Sequence, residues 1–482
     1  MLLLVLIILP LLAAVASLFV KKQRGYFEVF AVVASSIEFV AGLFIASKVV
    51  ANGSYSFEPY FTVDALSAIV MLTTVVIGLA AAVYSVGYLR AEEEKQIINF
   101  SQIKQYYFLF NIFIAVMYLA VATVNPIFTW IMVEATTLST AFLIRFYNKA
   151  SAIEAAWKFL ILNSIGLLLG FFGSMLFFTS VTGEGIHKFV SWQVLLDNAV
   201  HLDPLVAKIA FIFVIVGYGT KAGFVPMHTW KPDAYGKAPF PIAALFSGPL
   251  LNVAMLTIMR YKTIVDVAIG HAFAQNLLIF FGIISIVVAA SIVLVQKNFK
   301  RLFAYSSIEH VGIMALGFGF SGVGSVFALM HMIYHSLTKT ILFFSAGNLM
   351  LKFGSAKIEN IKGAIKLLPV TSVALLIGFL GITGVPPFGI FITEFNILSA
   401  GIGNFWYIVV LALIAFVLVF IGFFNRIVGA VFGQAPETLV KGENNLFTVL
   451  PILVLIIMLA VGSFYLPQSI WSLIHSAAAV IN

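Results

Sequence analysis

Apolar runs of about 20 residues, the length a helix needs to cross the hydrocarbon core of a bilayer, follow one another along the chain, parted by short charged or Gly/Pro-containing breaks. This pattern predicts fourteen spans, near residues 1–20, 26–48, 62–88, 105–123, 125–146, 155–181, 206–236, 240–261, 273–295, 301–320, 324–351, 367–400, 403–432 and 446–466. Only Val124-Asn-Pro126 separates the two runs between 105 and 146. The expected fold is an all-α polytopic membrane protein. The first run, Met1 to Val20, has no basic stretch before it, ends at Lys21, Lys22 and Arg24, and offers only Ala14 and Ala16 as a cleavage site. It reads as a retained span rather than a signal peptide.

Composition makes lipid the solvent. Of the 482 residues 62% are apolar and 10% charged, with a mean hydropathy of +1.10, against roughly 45–50% and about 25% in soluble domains. A water-soluble enzyme, a disordered chain and a collagen-like repeat are excluded. The absence of cysteine removes disulfides, thiolate nucleophiles and cysteine-ligated iron–sulfur clusters, so any redox centre would belong to a partner or be held by His.

A net charge of +8 would suggest nucleic acid in a soluble protein, but its placement gives another reading. Loops after odd-numbered spans hold 20 of the 27 Lys and Arg, and those after even-numbered spans hold five, Lys48, Lys188, Lys208, Arg260 and Lys262. Basic residues collect on the cytoplasmic side. Both termini are therefore expected outside a cell (plasma) membrane, with the loops at 90–104, 297–301 and 352–366 inside. No nucleic-acid partner is implied.

The two remaining basic residues fall inside spans: Lys221 in Gly219-Thr-Lys-Ala-Gly223 and Lys339 in His335-Ser-Leu-Thr-Lys-Thr340. Glu38, Glu134, Glu309 and Glu394 also lie in apolar runs. Each such group costs roughly 2.5–3.5 kcal/mol at the bilayer centre, and six would cost on the order of 15–20 kcal/mol if none were paired. They are expected to be paired, hydrated or neutralised.

Span 7 is interrupted at Gly219, Gly223 and Pro226, with Lys221 at the break and His228 after it. Span 12 is interrupted by Gly381-Ile-Thr-Gly-Val-Pro-Pro-Phe-Gly389, just before Glu394. Broken helices survive at membrane depth where the freed backbone faces protein or a water-filled cavity, and paired breaks in two halves point to a transport site. The breaks are five spans apart, so the second unit runs the opposite way. The predicted organisation is spans 1–3 in 1–104, a first repeat in 105–262, an inverted second repeat in 273–433, and span 14 with a short tail in 446–482.

His331, His335 and Lys339 recur every four residues, making one helical stripe about 12 Å long at a rise of ~1.5 Å per residue. Imidazole can accept a proton at one nitrogen and release one at the other, which suits a relay. Two histidines at this spacing could instead hold a metal, but no third ligand lies nearby in sequence, so no metal site is expected. They cannot both serve one haem, whose axial ligands come from opposite sides. His310 and His475 read equally well as packing residues, Glu38 as a contact to a partner subunit, and Asp64 and Lys158 as groups reaching the interface.

Three blocks carry a family resemblance: Pro226-Met-His-Thr-Trp-Lys-Pro-Asp-Ala234, Lys300-Arg-Leu-Phe-Ala-Tyr-Ser-Ser-Ile-Glu-His310, and the His331–Lys339 stripe. They resemble the antiporter-like membrane subunits of respiratory complex I, a family that includes Mrp-type sodium/proton antiporters and membrane-bound nickel-iron hydrogenases. Ser306-Ser-Ile-Glu-His310 and Ser247-Gly-Pro-Leu-Leu-Asn252 are most similar to the hydrogenase branch, including formate hydrogenlyase-type complexes. The resemblance covers nearly the whole chain and implies fourteen helices with inverted five-helix repeats.

It further implies that Lys221 exchanges a proton while Glu134 tunes it, and that His228 connects Lys221 towards water. Lys339, with His331 and His335, would bridge two half-channels, with Glu309 in the same path and Glu394 exchanging protons on the opposite side. Glu38, Asp233, His310 and Ser247 are secondary candidates. Many relatives carry Lys or His in span 8 where this chain reads Leu245-Phe-Ser-Gly-Pro-Leu-Leu251, so one relay position is expected to be lost or replaced by water held at Ser247. The short tail implies no long lateral helix like that of the distal complex I subunit. The functional expectation is a proton-translocating subunit of a redox-driven complex, with other membrane and hydrophilic subunits as partners that hold the iron–sulfur or nickel-iron centres, and no cofactor or redox active site of its own. Alternatives are an Mrp-type sodium/proton antiporter subunit, a haem-bearing membrane anchor and a carrier of an organic solute.

Overall fold

The computed structural model describes residues 1–20, 23–181 and 190–482; Lys21, Lys22 and Lys188 of the charge pattern lie outside them. Nineteen α-helices follow one another among the described residues. They are α1 (Leu2–Phe19), α2 (Gly25–Asn52), α3 (Ala65–Glu94), α4 (Phe100–Ala122), α5 (Pro126–Ile144), α6 (Ala150–Phe177), α7 (Trp192–Asp197), α8 (Pro204–Ala222), α9 (Trp230–Lys237) and α10 (Phe240–Leu245). After them come α11 (Leu251–Ile269), α12 (His271–Val293), α13 (Phe299–Phe320), α14 (Val323–Phe353), α15 (Ala364–Leu367), α16 (Pro369–Ile382), α17 (Gly389–Phe432), α18 (Leu446–Phe464) and α19 (Gln468–Ile481).

Polar caps set where many of these helices start. Asp64, Asn99, Asn125, Asp203, Asn298 and Asn445 each accept a backbone N–H of the helix they precede, satisfying donors that lipid would leave orphaned. Asn99 and Gln102 form a reciprocal capping box, and Pro126 and Pro204 occupy first helical positions that need no donor.

By length and composition twelve helices among the described residues are long and apolar enough to cross a membrane. The expected total of about fourteen is reached with α13, made more polar by Ser306, Ser307, Glu309 and His310, and with the second arm of α17. That helix of 44 residues is interrupted at Phe405, whose φ of −129° and ψ of 35° are not helical. Sequence placed this boundary at 401–402, but Gly401 and Gly403 stay helical and the kink comes two residues later.

Both predicted breaks are present. Helix α8 ends at Gly223, whose φ of +92° is a left-handed conformation that glycine adopts without strain, and the chain resumes as α9 at Trp230. Helix α16 ends at Ile382, and α17 begins at Gly389. Span 8 carries a further irregularity, a π-helical turn over Phe246–Leu250 between α10 and α11, where Pro249 cannot supply a backbone donor.

An antiparallel hairpin departs from the all-α expectation: β1 (Ser54–Phe57) pairs with β2 (Phe61–Asp64) in the register Ser54↔Asp64. It lies between α2 and α3, where the chain no longer needs to satisfy its backbone within one helix.

Helix α14 is the axis of the fold, packing against α3, α10, α13, α16, α17, α18 and α19. Its interior is almost wholly buried. By contrast α6 and the second arm of α17 leave Ile161, Leu168, Trp406 and Val417 exposed, as a lipid-facing or subunit-facing rim requires.

Candidate functional site: a buried polar axis

Glu134 lies on α5, half-buried. It accepts a hydrogen bond from Ser164 Oγ of α6 at 2.6 Å and a longer one from Thr137 Oγ1 at 3.4 Å. Lys221, in the last turn of α8, is 1% exposed. Its Nζ donates to Thr137 Oγ1 at 2.8 Å and stands 5.0 Å from the centre of the Phe159 ring. The carboxylate and the ammonium are thus joined through a threonine hydroxyl.

Side chains of α9 fold back over the break in span 7. Trp230 Nε1 donates to Thr220 O at 2.9 Å, and Lys231 Nζ donates to Ala222 O at 2.5 Å. Carbonyls at the C-terminal end of a half-helix carry the negative end of its dipole, so a lysine there is stabilised without a carboxylate. Lys231 is fully buried, and no acid within 4.0 Å pairs with it among the described residues. It lies within electrostatic reach of His228, His335 and Lys339. His228 is 8% exposed, and its Nδ1 has no hydrogen-bond partner.

Span 8 supplies hydroxyls and an amide at the centre. Ser247, in the π turn, hydrogen-bonds with Ser307 at 2.8 Å, and Asn252 Nδ2 donates to Ser336 Oγ at 3.0 Å.

In the second half the helical stripe divides. Lys339 Nζ donates to Phe303 O of α13 at 2.8 Å. His331 and His335 face His310, another α13 residue. His310 Nδ1 is 2.8 Å from His331 Nε2, His310 Nε2 is 3.0 Å from Ile382 O, and His331 Nδ1 is 2.8 Å from Thr393 Oγ1. The His335 ring lies 5.1 Å from that of His310, tilted by 37°, with neither nitrogen hydrogen-bonded. Glu309 is buried with one oxygen unpartnered, within electrostatic reach of both Lys339 and Glu394. Glu394 lies beyond the span 12 break, its Oε2 2.0 Å from where a Cβ on Gly384 would stand, and Gly384 has a φ of +63° that favours glycine.

The structure thus brings Glu134 and Lys221 together through Thr137, gathers His331, His335 and Glu394 around His310 with Glu309 in electrostatic reach of Lys339 and Glu394, and leaves His228 buried at the span 7 break and Ser247 bonded to Ser307. Two secondary candidates stand apart. Asp233 is ion-paired with Arg301 at 2.6 Å near the lysine-rich end, and Glu38 is held apart between α2 and α4, where Tyr118 donates to it at 3.2 Å.

Sequence reasoning counted Lys231 and Lys300 among loop residues that only set orientation, yet both are buried. Lys300 Nζ donates to Ala238 O at 2.6 Å and lies 4.1 Å from the Phe240 ring centre. It lines a cavity of about 280 Å³ with Glu92, Lys95, Tyr147, Lys149 and Lys237. Proximity to the break was the available signal for Lys231, since a long side chain just past a Gly/Pro interruption can reach the carbonyls it frees.

Residues 123–422 match the model described as NADH:quinone oxidoreductase/Mrp antiporter, TM, and residues 50–97 match that of NADH-ubiquinone oxidoreductase (complex I), chain 5 N-terminus. The chain belongs to this family. Hydrogenase-4 component F homolog of Methylacidiphilum infernorum is 38% identical over 371 residues, which are 76% of each protein. The fold superposes on a chain of the membrane-bound sulfane sulfur reductase, an archaeal respiratory membrane complex, with a TM-score of 0.87, 25% identity, and coverage of 99% of this chain and 97% of that one. Likeness to a chain of respiratory complex I from Thermus thermophilus (TM-score 0.77, 21% identity, 96% and 97% covered) shows the shared fold. Within the family the chain falls in the hydrogenase branch, as a multi-pass membrane subunit.

Proposed function

We propose that this chain is the proton-translocating, antiporter-like subunit of a redox-driven membrane complex of the hydrogenase type. The observation that supports the reading is the set of ionisable groups buried inside the spans: Glu134 and Lys221 joined through Thr137 in one repeat, and Lys339, three histidines, Glu309 and Glu394 in the other, with a broken helix in each repeat. Such groups move a proton from site to site. Lipid makes their charges unfavourable unless each proton position is matched by a neighbour.

The partners are membrane and hydrophilic subunits that hold nickel-iron or iron–sulfur centres and drive this chain electrostatically. The polar cavity around Glu92 and Lys300 is the mouth at the lysine-rich end, which the charge pattern puts inside the cell membrane, with both termini outside. Protons load near Lys221 and leave near Glu394. Around Glu134 the neighbouring oxygens are those of Thr137 and Ser164, and the Lys221 ammonium already engages Thr137, which favours a proton over sodium as the cargo.

The test is proton uptake by proteoliposomes holding the complex with Lys221→Met or Glu134→Gln. Each variant is expected to assemble and to lose translocation at least tenfold. Undiminished pumping in both would overturn the assignment.

A further inference from the structure

We infer that His310, His331 and Glu394 form a binding site for a divalent transition-metal cation of the zinc class, and that occupying it arrests proton transfer through the second repeat. The binding stands on the geometry alone, whereas the arrest rests on the proton path proposed above.

Fixed acceptors set the histidine tautomers. His310 Nε2 is 3.0 Å from Ile382 O; a carbonyl only accepts, so this nitrogen carries the hydrogen and the lone pair of His310 is at Nδ1. At the other end, Thr393 Oγ1 donates to Ile390 O at 2.8 Å. With its single proton on that carbonyl, Thr393 accepts from His331 Nδ1 at 2.8 Å. The lone pair of His331 is then at Nε2.

In that arrangement two imidazole lone pairs, His310 Nδ1 and His331 Nε2, face each other at 2.8 Å. Lone pairs in this position require a positive species between them. A single proton fits at this separation, and a metal ion held at roughly 2.0–2.1 Å from each nitrogen fits once the two rings part by about half an ångström.

The surroundings are those of a metal centre. Ligand histidines characteristically donate their second N–H to a carbonyl or hydroxyl, which fixes ring orientation, and both rings do so here. Glu394 supplies the third donor, with one ligand atom from each of the three residues lying within 4.8 Å of the others. All three residues are buried.

Two imidazoles and one carboxylate with an open fourth position match Zn²⁺. Mg²⁺ and Ca²⁺ call for oxygen-rich shells. Glu309, which acts electrostatically on Glu394, adds a second acidic group beside the site. The span 12 break gives access: Gly384 touches the Glu394 carboxylate, and Pro386 and Pro387 are exposed beside it. A cation here takes the lone pairs on which the relayed proton would sit, so conduction and occupancy exclude each other.

The site is tested on the full chain within its purified membrane complex by titrating zinc chloride and measuring retained Zn²⁺, with Glu394→Gln, His331→Gln and His228→Gln in parallel. Wild type and His228→Gln are expected to bind equally. Glu394→Gln and His331→Gln should bind at least tenfold more weakly. Equal binding by all four proteins would overturn the proposal.

X-ray absorption at the zinc edge of the wild-type protein provides a check that needs no variant. Scattering from two imidazoles is expected, and its absence from the titrated zinc would refute the site. Proton flux in proteoliposomes reads the second half separately: binding without inhibition removes the arrest and leaves the site, whereas loss of flux in Lys221→Met bears only on the transport reading.

Discussion

Lys221 and Glu134 are not in direct contact: the hydroxyl of Thr137 stands between them, accepting from Lys221 Nζ at 2.8 Å and donating to Glu134 Oε2 at 3.4 Å. One small polar atom therefore couples the lysine's proton to the carboxylate. Thr137→Val preserves shape and removes the hydroxyl. Losing a hydrogen bond to a charged group costs about 1.5–3 kcal/mol, so proton translocation in proteoliposomes should fall roughly 10- to 100-fold. Thr137→Ser should restore most of it.

Close approach of α6 and α8 holds this arrangement together. A Cβ on Gly217 would lie 2.3 Å from Gly170 N and 2.8 Å from Gly166 O, a small-residue contact of the kind that lets membrane helices approach closely. Ser164, which binds Glu134, sits on one of these helices and Lys221 on the other. Gly217→Ala should therefore destabilise the chain by about 1–3 kcal/mol through overpacking. A lowered thermal midpoint of the purified complex would register the change, and an unaltered midpoint would show that the two helices can part freely.

At the end of the molecule away from the lysine-rich loops, Asp64 caps α3 through Ser67 N and receives two bonds from Arg260 of α11, at 2.7 and 2.9 Å. This forked pair ties the hairpin to span 8. Asp64→Asn retains an oxygen for the cap but loses the ionic pair, with an expected loss of about 1.5–3 kcal/mol. Arg260→Lys should be nearly as harmful as Arg260→Ala, because a lysine cannot reproduce the planar fork. Unfolding of the purified complex by heat compares the variants, and full stability in Arg260→Lys would contradict the argument.

The spans and the two breaks were legible in the sequence because apolar length, glycine and proline act locally. Glu134, Lys221, Glu309, Lys339 and Glu394 were legible for a related reason: an ionisable residue inside an apolar run stands out without any knowledge of packing. The joining of His310 to His331 was not, since it depends on how α13 lies against α14. Nor was the approach of Glu394, which lies more than sixty residues further along the chain. Lys231 and Lys300 were misread because each follows a loop, and a count of loop charges cannot tell a solvated lysine from one that folds back onto a freed carbonyl. The hairpin escaped notice because its strands are four residues each, too short to set a period against the surrounding helices.

Lys231 offers the sharpest separation of structure from transport. Its ammonium caps Ala222 O, one residue past Lys221 at the end of a half-helix, and stands within electrostatic reach of Lys339. A purely structural lysine needs to be charged and to donate; a relay must also let the proton go. Arginine does the first and cannot do the second, because its guanidinium stays protonated. Lys231→Arg should therefore assemble like wild type while losing proton translocation at least tenfold, whereas Lys231→Met loses both the cap and the relay. Proteoliposome proton uptake, set beside the yield of assembled complex, distinguishes the two roles. Wild-type pumping in Lys231→Arg would reduce Lys231 to a helix cap and leave the crossing between the two halves to the Ser247–Ser307 hydroxyls.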